Sequence, residues 1–395
     1  MKKFALAALL LIPAVAQAKP IGHLAYIQKD VARVSNLATG TVSILPKSGR
    51  TQLLALSPRG TAVYFVRPPG QEVEEDGPPS LRGYMSHPPY KLARLLPERL
   101  QGEAPGLLNW SRTGNTLWIR GFEFSGAYTP RNNSWLQLGE VPTGTSRNGK
   151  RLAFYDYEAI RVRDVNSKKD RVIFSQKKPQ VLFNALKNGK NQKKLRDLTR
   201  KINPQVWKSG DNWAISTPAI SPDGSRLYFA SNAGTGNGGS ATSTWAIFAA
   251  NLKSGRIAVL SEVGTQFGRI PETLEVSPDG QRLLSIATSP LSPLDNAASA
   301  RVIDLPTQKS REILMNVPGS KGKSNITNGA CWSPDGKYVA LSAYFYDLKT
   351  AMNERRKDSN WIGPADSAYI LYLKEATTGR TVRQIAGATQ PTWVR

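Results

Sequence analysis

Six Ser-x-x-Gly tetrads, each running straight into a β-rich stretch, constrain this chain more than any other feature of its sequence. They are Ser57-Pro58-Arg59-Gly60, Ser111-Arg112-Thr113-Gly114, Ser146-Arg147-Asn148-Gly149, Ser221-Pro222-Asp223-Gly224, Ser277-Pro278-Asp279-Gly280 and Ser333-Pro334-Asp335-Gly336. The runs that follow are 61–66, 115–120, 150–155, 225–230, 281–286 and 337–342. One such tetrad carries no information, but a recurrent one marks a repeat architecture. The residue types suit a tight hairpin. Pro presets φ near −65°, Ser and Asp side chains cap backbone donors, and Gly accepts the positive φ that closes the turn. Asp223, Asp279 and Asp335 are therefore read as turn residues, although they resemble a carboxylate series.

A second half-unit follows most tetrads. Runs 245–252 and 256–260 flank the turn Lys253-Ser254-Gly255, and 369–374 and 381–386 flank Thr377-Thr378-Gly379. The pairs 300–305 with 311–315, 160–165 with 171–175, and 31–37 with 41–45 repeat it. Strand pairs at this spacing, punctuated by turns, predict an all-β propeller of four-stranded blades. The chain ends on Gln390-Pro391-Thr392-Trp393, which matches the lead-in Asn328-Gly329-Ala330-Cys331-Trp332 of the last full repeat. The run 23–28 supplies the strand that would come next. One blade is thus expected to be shared by both termini, giving seven blades, with six as the alternative because Ser111 and Ser146 lie close together. Ring closure leaves no open sheet edge at the join.

The segments 220–230, 276–286 and 331–342, each followed by a strand and a Thr-Gly or Ser-Gly turn, resemble the TolB-type, WD-repeat-like β-propellers of exported bacterial proteins. Weaker copies extend the resemblance over nearly the whole chain beyond the leader. It implies a propeller in the cell envelope, where members of the family mostly act as platforms for protein contacts. The type member carries an α/β domain ahead of its propeller. Here the repeats begin almost at the end of the leader, so only architecture and compartment are carried over.

That leader is residues 1–18. Lys2 and Lys3 form a positive n-region, 4–15 an apolar run too short to span a bilayer, and Ala16-Gln17-Ala18 a small-residue cleavage site. Cleavage near Ala18 would leave 19–395 as a single propeller domain, periplasmic or secreted, with no transmembrane anchor and a monomeric state expected. Cys331 is the sole cysteine, so no intramolecular disulfide can form, and its place beside Trp332 in a strand pattern suits a buried structural thiol. The formal charge is +24. In an exported chain the available polyanions are phospholipid headgroups, lipopolysaccharide, wall polymers and acidic proteins, and nucleic acid is not expected. Positive charge can equally serve solubility, with no partner.

Four inserts interrupt the repeats, near 68–89, 177–213, 232–243 and 344–365. The first holds the acidic run Glu72, Glu74, Glu75 and Asp76. The second is basic, with Lys187, Lys190, Lys193, Lys194, Arg196, Arg200 and Lys201. Its Leu182, Leu186, Leu195, Leu198 and Ile202 fit one or two short amphipathic helices broken near Gly189. The third is a Gly/Ser/Thr/Asn loop without the Gly-Lys-Ser/Thr ending of a phosphate cradle. The fourth contains Arg355, Arg356, Lys357 and Trp361. Loops on a rigid scaffold often carry binding function, so the two basic segments with Trp361 are the candidate binding residues. The alternative is a solvated helix held on a blade by its leucines.

Only His23 and His87 are present among histidines, no Gly-x-Ser-x-Gly occurs, and no histidine follows position 87. A histidine-rich metal site and a hydrolase triad in the α/β-hydrolase order therefore cannot be assembled. No catalytic residue, metal or cofactor is assigned. Carboxylate-only glycoside chemistry stays open through Asp156, Glu158, Asp304, Asp347 and Asp366. The expectation is a non-catalytic binding platform for an envelope protein or anionic polymer, with a glycan-active enzyme and a structural or assembly factor as rivals.

Overall fold

The computed structural model describes residues 20–69, 80–102, 105–111, 113–121, 124–156, 158–178, 180–187, 215–232, 245–264, 270–288, 299–314, 324–346, 353 and 368–394. They form seven four-stranded antiparallel sheets arranged as a β-propeller. Blade one is built from both ends of the chain, and blades two to seven follow in sequence order.

The hairpin chemistry at each tetrad sets the first two strands of a blade. In blade five the Ser221 hydroxyl donates to Asp223 Oδ1 at 2.6 Å and accepts from the Arg226 N–H at 2.9 Å. The Ser225 N–H donates to the same Asp223 oxygen at 3.0 Å. Blades six and seven repeat this geometry around Ser277 and Ser333. In blade four Asn148 replaces the aspartate, accepting from the Ser146 hydroxyl at 2.7 Å and the Lys150 N–H at 3.0 Å. The capping oxygen therefore need not be charged, and blade two closes its turn with Arg59 at this position, the Ser57 hydroxyl accepting from the Arg59 and Thr61 N–H groups. Gly224 sits at φ 71°, and a Cβ there would stand 3.2 Å from the Ser146 side chain of the preceding blade. Glycine thus serves both the turn and the close approach of adjacent blades.

Blades stack face to face, and the core lies between them. Six inter-blade layers hold a buried apolar cluster among the described residues. Between blades four and five Phe174, Phe229 and Phe248 stack with ring centroids 5.8 and 5.5 Å apart. The period-2 alternation of each strand sends successive side chains to opposite neighbours, so blades one, two, five, six and seven each contribute to two of these layers.

The closing blade is as expected from the chain ends. His23–Gln28 pairs antiparallel with Ala388–Val394 on one side and Val31–Asn36 on the other. Trp393 stacks on Tyr338 at 6.3 Å, and its indole N–H donates to the Ile21 carbonyl at 2.8 Å.

One expectation needs correction. The first insert was placed over 68–89, but Arg82–Ser86 is the third strand of blade two, with Tyr84 and Met85 buried. Its short length and central glycine hid it among turn residues. Cys331 lies in Ser324–Trp332, the first strand of blade seven, one residue before the buried Trp332. The four strands between Ser111 and its neighbours fit because they are short: Leu107–Trp110, Leu117–Arg120, Ser125–Thr129 and Ser134–Gln137.

Candidate functional site

Strand direction alternates within a blade, so its connections divide between two faces. Those joining first to second and third to fourth strands are short turns, including every Ser-x-x-Gly tetrad. Those joining second to third strands, or one blade to the next, emerge on the opposite face. All four inserts fall in connections of this second kind, including the acidic segment of blade two and both basic segments. The ring therefore collects on one face the strand ends from which these connections leave.

The basic insert starts with α1 (Gln180–Lys187), which leaves the last strand of blade four. Leu182 is fully buried and Ala185 nearly so, in the layer containing Phe174, Ile215 and Val259. Gln180 Nε2 donates to Asn184 Oδ1 at 3.1 Å, one turn along the helix. Leu182, the first residue of the amphipathic pattern, thus docks the helix on blades four and five, whereas Leu195, Leu198 and Ile202 lie outside the described residues. Lys187 is its last residue. Lys190, Lys193, Lys194, Arg196, Arg200, Lys201, Arg355, Arg356, Lys357 and Trp361 lie outside the described residues, as do the acidic run at Glu72–Asp76 and most of the 232–243 loop.

A central cavity of ≈ 350 Å³ is lined by the innermost strands of six blades. Leu54, Trp110, Thr145, Ile220, Glu275 and Trp393 each come from a different one. The Trp332 indole N–H donates to the Glu275 carbonyl at 2.9 Å and ties blade seven to blade six beside it. Burial pushes the Cys331 thiol well up, the Glu275 carboxylate adds to this, and a hydrogen bond with the Trp393 backbone opposes both. A thiol so shifted is a poor nucleophile.

Of the carboxylates singled out in the sequence, Asp156, Glu158 and Asp304 are not among the residues lining this cavity. Asp156 accepts from the Glu158 and Ala159 N–H groups at 3.2 and 2.8 Å, within a turn of blade four. Glu158 stands 3.8 Å from Lys177 at the surface. The Thr307 hydroxyl and N–H hold the Asp304 carboxyl below the usual carboxylate range, within a turn of blade six. Asp347 and Asp366 lie outside the described residues. Glu275 lines the cavity and was not foreseen, because its position depends on closure of the ring. The His87 Nδ1 is 3.0 Å from the Thr61 hydroxyl in blade two, whereas His23 starts a strand of blade one. Among the described residues no helix is long and apolar enough to cross a membrane.

No family model matches the chain, and no curated protein matches it in sequence. Solved structures do resemble it. A 6-phosphogluconolactonase-like protein from Bacteroides uniformis aligns over 96% of this chain and 100% of its own, at 11% identity and a TM-score of 0.51. The tricorn protease aligns over 94% of this chain at 12% identity and a TM-score of 0.51, and this chain spans only 35% of it. A TolB-like protein from Agrobacterium tumefaciens aligns over 75% of this chain and 86% of its own, at 15% identity and a TM-score of 0.41. At these identities the likeness is one of fold, and the β-propeller fold hosts enzymes and non-enzymes alike.

Proposed function

We propose that this chain is an exported, non-catalytic binding platform whose insert face engages an anionic component of the cell envelope, polymer or protein. The contact is made through 187–201 and 355–357, with Trp361 beside the second run. The observation that carries this reading is the docking of α1. Burial of Leu182 and Ala185 anchors the root of the basic insert to blades four and five, so the run that continues from Lys187 leaves from a defined point on the rim. A charged segment tethered at one end to a rigid scaffold loses less freedom on binding than an unattached one. The leader-like residues 1–18 and the formal charge of +24 support an envelope polyanion as the target.

Retention of the protein on envelope fractions tests this. The partner should hold the protein at low ionic strength and release it at high salt, where surface charges are screened. Retention indifferent to salt, or none at either condition, contradicts it.

A further inference from the structure

The turn face carries a second feature that does not depend on the inserts. Its first-to-second-strand turns change sign around the ring. Blades two and four present Arg59 and Arg147, and blades five, six and seven present Asp223, Asp279 and Asp335. Where the sign changes, the turns of blades four, five and six wall a groove of ≈ 780 Å³. In blade order it is lined by Arg147, then Asp223 and Arg226, then Asp279, with Pro222 and Pro306 among its apolar lining. Among the described residues none of these four charged side chains joins an ion pair. Each aspartate uses Oδ1 to cap its own turn and remains exposed, Asp279 with its Oδ2 beside Gly336 of blade seven. Arg226 and Arg147 are likewise exposed.

The groove is held rigid by its own backbone. The Arg147 N–H donates to the Pro222 carbonyl at 2.7 Å, joining the turns of blades four and five. A Cβ on Gly280 would lie 3.5 Å from Pro222, so the turns of blades five and six are in van der Waals contact. A preorganised groove with unpaired charges of both signs discriminates by charge pattern. A purely acidic ligand meets the two carboxylates, a purely basic one meets the two guanidinium groups, and either mismatch is penalised.

We propose that this groove docks an extended peptide segment of a partner protein. The segment presents an acidic side chain to Arg147 and Arg226, a basic side chain to Asp223 and Asp279, and apolar residues between them over Pro222 and Pro306. The site is separate from the basic insert and stands or falls without it.

The test uses the full chain, immobilised at near-physiological salt, and a library of end-capped hexapeptides in four sets. One set carries one Asp and one Lys separated by Leu and Pro, and the others are all-acidic, all-basic and neutral. Two charge-removing variants accompany the wild type: Arg147→Gln, and Asp223→Asn combined with Asp279→Asn. The Asn substitutions keep the fold, because Asn148 already fills the same capping role in blade four. The wild type should retain the mixed-sign set at least about tenfold over the others, a difference of about 1.4 kcal/mol. The double Asn variant should lose the requirement for Lys, and Arg147→Gln should weaken the requirement for Asp. Preference for the all-acidic set, equal retention of all sets, or a mixed-sign preference unchanged in both variants would each overturn the proposal.

Discussion

The Ser277 hydroxyl donates to the Asp279 carboxylate at 2.5 Å while accepting from the Arg282 N–H at 2.9 Å, so one buried side chain closes a turn and starts the next strand. Ser277→Ala removes both bonds and leaves a strand donor short of its side-chain partner. It should lower stability by about 1–2 kcal/mol, read as a shift in the denaturant midpoint. Asp279→Asn keeps the acceptor and should cost less than about 0.5 kcal/mol. Equal losses in the two variants would show that charge, and not the oxygen, holds the turn.

Lys374 is fully buried in blade seven, with the Thr381 hydroxyl at 3.1 Å as its hydrogen-bond partner. Burial pushes its ammonium down from 10.5 to about 8. Below pH 8 the folded chain bears the cost of a buried charge. Between about pH 8 and 10.5 the folded lysine is neutral while the unfolded one still holds its proton, so stability rises with pH across that window. Lys374→Met should therefore stabilise the protein by roughly 3 kcal/mol at pH 7. The gain should fade as pH approaches 10.5. Urea midpoints at the two ends of this range check it.

Phe229 is fully buried and stacks on both Phe174 and Phe248, one ring in each adjoining position of the layer between blades four and five. Phe229→Ala should cost about 3–5 kcal/mol, since a packed layer collapses only partly around the cavity. Calorimetry at fixed pH measures it.

Removing 388–394 takes the innermost strand from blade one and frees one edge of His23–Gln28. An unpaired edge is a template for pairing with another chain. The truncated protein should self-associate on size-exclusion chromatography in a concentration-dependent way. Trp393→Phe, which loses only the bond to the Ile21 carbonyl, should keep the elution position of the wild type.

The parts of the fold that were legible in the sequence are those set by local chemistry. Ser, Asp or Asn, and Gly at fixed offsets write the hairpin into four residues, and Leu182 with its helical neighbours writes the docking face of α1. Arg82–Ser86 and the three-residue strand Ala93–Leu95 were harder to see, because neither is long enough to show alternation. Glu275 could not be assigned to the cavity from its surroundings, since Leu274 and Val276 mark only a buried strand. What brings it beside Trp393 and Cys331 is closure of the ring by residues more than a hundred positions away. The same long-range closure gathers on one face the strand ends from which the inserts depart, a relation that no stretch of sequence contains by itself.

The most direct test of the platform account is retention on envelope fractions at low salt of a variant with Lys190, Lys193, Lys194, Arg196, Arg200 and Lys201 all changed to Gln, beside the wild type. The account predicts that the wild type is retained and released by salt, and that the variant, folded and with α1 still docked through Leu182, is not retained. Equal retention of the two proteins at low salt would contradict it.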